Sequence, residues 1–134
     1  MNKPRTIVIK GNPISKSRPR FSKIKGRVRT FDSQSEEKST LEWKLKARMG
    51  KDKPLSGLVA LSLVFIFPRP KSWPKSRKQL YHRSRPDVDN LQKFILDAGN
   101  NILWNDDCQI VNITASKLYG PEPKTIMIIT EVEE

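Results

Sequence analysis

Apolar residues are spaced along this chain in two rhythms, and the switches between them mark out its elements. Thr6 to Lys10 is a short apolar run closed by Gly11-Asn12-Pro13, which predicts a strand. Lys25-Gly26-Arg27 predicts the turn of a small hairpin with Arg20–Ile24 and Arg27–Phe31 as arms. Leu41, Leu45 and Met49, with Trp43 and Ala47 nearby, then recur at helical spacing. Ser33 or Ser35 followed by Glu36-Glu37 starts that helix, and Gly50 ends it. Leu58–Phe67 is apolar at nearly every position and rich in Val, Ile and Phe, the pattern of a central strand covered on both faces. Pro68 stops it. Helical spacing returns at Leu91, Phe94, Ile95, Ala98 and Ile102, with Asp89 or Asn90 as cap and Asn101 in a left-handed position at the end. Gln109–Tyr119 reads as a strand, Gly120-Pro121-Glu122-Pro123 turns it, and Thr125–Val132 returns, most simply antiparallel. The order predicts an α/β (α+β) fold in which a mixed sheet of four or more strands packs with two main helices. At 134 residues, positions 1–134 form one domain.

Residues 68–86 fit neither rhythm. They hold four prolines and a series of cations that includes Lys71, Lys75, Arg83 and Arg85, and predict a long basic loop with a helical turn near Ser76–Leu80. Phe67, Trp73 and Tyr81 interleave with those charges. Such a surface stacks on unpaired bases, or Trp73 simply pins the loop to the body. The hairpin arms at 20–31 likewise read as a solvated ribbon or as a DNA-contacting arm.

Charge narrows the partners. Lys+Arg number 26 against 14 Asp+Glu, a net charge of +12 that points to a polyanion. The longest apolar run is about half of the ~20 residues that a spanning helix needs, which argues against a membrane protein. Met1-Asn2-Lys3-Pro4-Arg5 lacks the apolar stretch of a signal peptide, so a cytoplasmic location is expected. One cysteine, Cys108, and one histidine, His82, exclude an internal disulfide and an imidazole- or thiolate-rich metal centre.

Against this background the acids are placed oddly. Residues 1–31 and 53–86 contain none, yet Asp87, Asp89, Asp97, Asp106 and Asp107 fall within 87–107. Two acids at i and i+2 before a helix can converge on one ion, and a third can arrive from the next strand. Oxygen donors of this kind favour Mg²⁺, with Mn²⁺ able to substitute. The spacing departs from an EF-hand, because Leu91 stands at its fifth position and the loop glycine is missing. A plainer account remains: Asp87-Val88-Asp89-Asn90 can cap a helix, and Asp106-Asp107 can form a turn. Lys93, one helical turn past Asp89, is placed to offset charge growing on a phosphate under attack. Cys108 is expected to be a buried small residue, and His82 a phosphate or loop-packing residue rather than a general base.

The run Arg85-Pro86-Asp87-Val88-Asp89-Asn90-Leu91-Gln92-Lys93, then Leu96-Asp97-Ala98, then Trp104-Asn105-Asp106-Asp107-Cys108-Gln109-Ile110-Val111, resembles the RusA family of Holliday junction resolvases. The likeness is densest over residues 85–113. It extends weakly to Gly11-Asn12-Pro13, to Arg18-Pro19-Arg20 and to the last strand pair. The resemblance implies a Mg²⁺-dependent, homodimeric endodeoxyribonuclease, bacterial or phage-encoded, that resolves four-way DNA junctions by paired symmetric nicks in recombination and repair. It needs no small-molecule cofactor. By the same resemblance Asp87, Asp89 and Asp107 are the metal ligands and Lys93 the functional lysine. Asp106 orients a water or shapes the turn, and Asp97 supports the site, paired with Lys93. Arg18, Arg20, Lys71, Lys75, Arg83, Arg85 and Lys117 are candidate DNA contacts. The rival readings are a non-catalytic basic DNA- or RNA-binding module, and a Mg²⁺ nuclease acting on other branched or linear DNA.

Overall fold

The computed structural model describes residues 3–17, 20–24, 27–31 and 34–134, the strands at 20–24 and 27–31 by their backbone alone. The elements are β1 (Arg5–Lys10), β2 (Arg20–Ile24), β3 (Arg27–Phe31), α1 (Ser35–Met49), β4 (Leu58–Pro68), α2 (Val88–Gly99), β5 (Ile110–Gly120) and β6 (Lys124–Val132). A 3₁₀ turn, Asp107–Gln109, leads into β5. The main sheet has the order β1-β6-β4-β5, and β2 and β3 pair separately as the expected hairpin. This is a small α+β domain.

β4 is the centre of the sheet, but only one of its faces is sealed. Val59, Leu61, Leu63, Phe65 and Phe67 are buried, while Ala60, Ser62, Val64 and Ile66 alternate with them half-exposed. The expectation of cover on both faces fails because α1 and α2 touch each other and lie on the same side. Leu41, Leu45 and Met49 of α1 meet Leu91, Phe94, Ile95 and Ala98 of α2 over this floor. Full burial of side chains such as Phe65 and Leu63 contributes about 1.5–3 kcal/mol each, so the one-sided core carries most of the stability. The opposite face leaves Val8, Val64, Ile66, Ile126 and Ile128 half-exposed, with no helix across them among the described residues.

The last two strands are antiparallel in direction but do not pair with each other. β5 joins β4 in parallel and β6 joins β4 antiparallel, so β4 lies between them. The passage through α2 makes β4 and β5 the parallel strands of a crossover unit. The short link after Gly120 then passes over the end of β4, a span of two strand spacings that four Cα steps can cover. Gly120 is needed there, because a Cβ would fall 2.6 Å from Cγ2 of Ile66. Turn-forming residues therefore mimic a hairpin while building a crossover.

Helix ends differ in detail from the sequence expectation. Gln34 is the N-cap of α1 and makes no side-chain cap bond; Ser35 is already helical, and Ser33 lies outside the described residues. Gly50 closes α1 with positive φ, as expected. α2 starts earlier than expected, with Asp87 rather than Asp89 or Asn90 at its N-cap, and ends at Gly99. Ile102 is buried in the turn beyond the helix, where Asn101 has a φ of 68°. No helical turn forms at Ser76–Leu80. Two earlier turns form instead, Pro70–Trp73 and Pro74–Arg77, closed by Trp73 N–H to Pro70 O and Arg77 N–H to Pro74 O.

Candidate active site

The acids are delivered by the two ends of α2 and by the turn that follows it. At the N-terminus, Asp87 has extended backbone dihedrals and its side chain makes no capping bond. Capping would use up the carboxylate; here it is left exposed and available. Asp89 lies in the first helical turn, also exposed, with Nζ of Lys93 3.9 Å from its Oδ2. Both partners are more than half exposed, so this pair is weak and Lys93 can turn toward an incoming phosphate at little cost.

At the other end, a plug fixes the path from α2 to Asp107. Trp104 is fully buried, donates from Nε1 to Oδ1 of Asn100 at 2.9 Å, and packs its ring on Gly99. Asp106 then caps the 3₁₀ turn. Its carboxylate accepts from Cys108 N–H at 3.4 Å, and its own N–H donates to Oε1 of Gln109 at 2.8 Å. Gln109 also donates to Leu55 O and Gly57 O, both at 2.8 Å, which ties the turn to the segment before β4. Sequence reasoning missed Gln109. Its partners Leu55 and Gly57 are more than fifty residues away and no local pattern announces them, although the Asp106-x-x-Gln109 spacing is that of a capping box.

Burial pushes the Asp107 carboxyl up, helped by its hydrogen bond with Asp106 and by the negative charges of Asp106 and Asp97. Asp106 is pulled down by that bond from Asp107 and by the Cys108 N–H. Asp107 and Asp97 therefore share one electrostatic neighbourhood, while Asp87 and Asp89 lie at the opposite end of the helix. Among the described residues, no three His, Cys, Asp or Glu side chains gather as a ready-made metal cage. The donor chemistry nevertheless fits a hard cation. Mg²⁺ commonly takes one or two carboxylates and completes its shell with water and substrate phosphate oxygens, and the uncommitted carboxylate of Asp87 is such a donor.

Asp97 does not pair with Lys93. Among the described residues its ion-pair partner is Lys16, in the irregular segment after β1, whose own N–H donates to Asn90 O at 2.9 Å. Lys93 leans back toward Asp89, and a partner eighty-one residues away takes Asp97. Cys108 is exposed rather than buried, because the turn points it outward. Desolvation and the nearby Asp106 charge push its thiol up, which leaves it a poor nucleophile.

The basic loop is only partly free. Phe67 is buried, and His82 stacks on it with ring centroids 3.9 Å apart, so His82 packs the loop and Phe67 offers no face to a base. Trp73 meets Tyr119 edge-on at 4.8 Å and carries Arg77 3.7 Å above its ring. This arrangement pins the loop. Tyr81 remains 61% exposed. Lys71, Lys75, Arg83 and Arg85 are exposed, whereas Lys117 directs its ammonium to Ser84 O and Pro86 O. Arg18 lies outside the described residues, as does the side chain of Arg20.

The chain as a whole is similar to known proteins. The chain is 31% identical over 135 residues to the Bacillus subtilis "Uncharacterized protein YqaN", covering 94% of this chain and 95% of that one. It is 29% identical over 126 residues to a protein of Lactococcus phage r1t named crossover junction endodeoxyribonuclease rusA, covering 90% and 91%. The profile of the family Endodeoxyribonuclease RusA matches residues 10–130. The chain belongs to the RusA family of endodeoxyribonucleases.

Proposed function

We propose that this nuclease resolves four-way DNA junctions, making paired symmetric nicks as a Mg²⁺-dependent homodimer in the cytoplasm during recombination and repair. The observation that carries the reading is the uncommitted carboxylate of Asp87 beside Asp89, in a chain of net charge +12. Asp87 and Asp89 would hold the ion, which supplies Lewis-acid polarisation of the phosphate and a water that ionises near neutral pH; Asp107, at the other end of α2, is the third ligand that the family resemblance implies. Lys93 offsets charge that develops on the phosphate, and Asp106 keeps the turn carrying Asp107 in shape.

Two features support the dimer. A four-way junction presents equivalent strands, which two symmetry-related sites can cut together. The uncovered sheet face bearing Val8, Val64, Ile66, Ile126 and Ile128 is apolar enough to seat a second copy. Exposed Lys71, Lys75, Arg83 and Arg85 hold the duplex arms through phosphates rather than by reading bases.

Incubating the protein with a synthetic four-way junction, with and without Mg²⁺ and with linear duplex as competitor, tests the proposal. Symmetric, ligatable nicks that require the metal and persist under competition support it. Equal cutting of linear duplex would remove the junction specificity, and no cutting at all would remove the assignment.

A further inference from the structure

The basic loop ends in a segment that is clipped to the sheet. Tyr119 N–H donates to Leu80 O at 2.8 Å, and His82 N–H donates to Lys117 O at 3.0 Å. Tyr81 and Leu118 form an antiparallel bridge between these bonds. Residues 80–82 thus act as an extra strand along the outer edge of β5, and His82 stacked on Phe67 secures that strand from the side.

From the same stretch of β5, the half-buried Lys117 reaches the two residues on either side of Arg85. Its Nζ donates to Ser84 O at 2.7 Å and to Pro86 O at 2.8 Å. Lys117 is paired with Phe65 across the ladder, and Phe65 belongs to the buried face, so the lysine rises on the helix side of the sheet. Pro86 O belongs to the peptide unit that joins Asp87, the N-cap of α2. The ammonium therefore grips the backbone one bond before the first acid of the site. Two of its three protons are already committed to carbonyls, and binding a phosphate would require giving up that grip.

We propose that Lys117 is a positioning residue: it fixes the entry to α2 and thereby aims the carboxylates of Asp87 and Asp89. This rests on the reading that those two acids carry the nicking reaction. The fold alone has no need of this grip, since the loop is already held by two backbone bonds and a ring stack. What the lysine adds is register at Pro86, where an error passes directly to Asp87.

The test uses the full chain carrying Lys117→Met, which keeps the stem and removes the charge, and Lys117→Arg, which keeps the charge. Lys117→Met should lower kcat on a saturating four-way junction by about 10²-fold, the cost that a misplacement near 1 Å can reach. It should also raise the Mg²⁺ needed for half-maximal rate, while junction affinity measured in EDTA stays unchanged. Trypsin should cut after Arg83 faster than in the parent, a readout independent of activity. Lys117→Arg should recover part of the kcat. A parent-like rate or parent-like tryptic pattern in Lys117→Met overturns the proposal. So does a loss of EDTA binding equal to the loss of rate, which marks a phosphate contact. Should Lys117→Met not fold, Lys117→Gln takes its place in the same measurements, with the same results expected and the same results overturning the proposal. A parent protein that fails to nick the junction sinks the nuclease reading, and the tryptic result still decides whether Lys117 holds the loop.

Discussion

Gly99 lies flat against the indole of Trp104, so close that a Cβ at position 99 would stand 2.6 Å from Cζ2. The last turn of α2 and the segment leading to Asp107 are locked by this contact. Gly99→Ala should destabilise the protein by about 1–3 kcal/mol, as overpacking does. Trp104→Ala should cost about 3–5 kcal/mol through the cavity it leaves. Urea unfolding measures both, and a neutral Gly99→Ala would show that the ring can shift.

Asp87→Asn, Asp89→Asn and Asp107→Asn should each abolish nicking while retaining junction binding, because removing negative charge does not weaken capture of phosphates. Asp89 is exposed and its ion pair with Lys93 is weak, so Asp89→Asn should change stability by less than about 0.5 kcal/mol. Gel-shift and cleavage assays on one preparation separate the effects. Near-normal Mg²⁺-dependent cleavage by Asp89→Asn would contradict its role.

Lys93→Ala should impair cleavage more than binding, whereas Lys71→Ala and Lys75→Ala should do the reverse. Each of the latter two should weaken binding and reduce the slope of log affinity against log salt by about one. Titrations at several salt concentrations give that slope. An unchanged slope removes the residue from the DNA contacts.

His82 gives a pH signature. Burial, and then the charge of Lys117, hold its imidazole below the ordinary 6.5. The unfolded chain binds the proton more readily, so this stabilisation is complete above pH 6.5 and is lost as pH falls through the lower folded value. The melting temperature should therefore drop as pH is lowered below 6.5. His82→Phe, which keeps a ring against Phe67, should flatten that part of the profile. A variant with the parent's slope would assign the effect to other groups.

The Lys16–Asp97 pair is tested by a double-mutant cycle. Lys16→Met with Asp97→Asn should show coupling of about 0.2–1 kcal/mol, the range for a partly exposed ion pair. The same cycle with Lys93→Met in place of Lys16→Met should show none.

Local patterns carried a good part of this structure. The arms of the hairpin, the spacing of Leu41, Leu45 and Met49, and the central place of β4 were legible because each depends on neighbours a few residues apart. The carboxylates stood out because the chain around them is cationic. Long-range choices stayed hidden. Gly120–Pro123 has the chemistry of a tight turn, and only the pairing of β5 and β6 with opposite edges of β4 reveals a passage over that strand. Asp97 had an acceptable partner one helical turn away, and nothing in the order of residues favours Lys16. Apolarity along β4 could not tell which face the two helices would choose.

Seating Leu80–His82 against β5 has an effect unrelated to chemistry. A sheet margin with unpaired amides invites strands from other molecules, the first step toward aggregation. Near Leu118 that margin is already taken, and the cations following it repel another copy of this basic chain. A stretch rich in proline and arginine thereby also guards the protein's solubility.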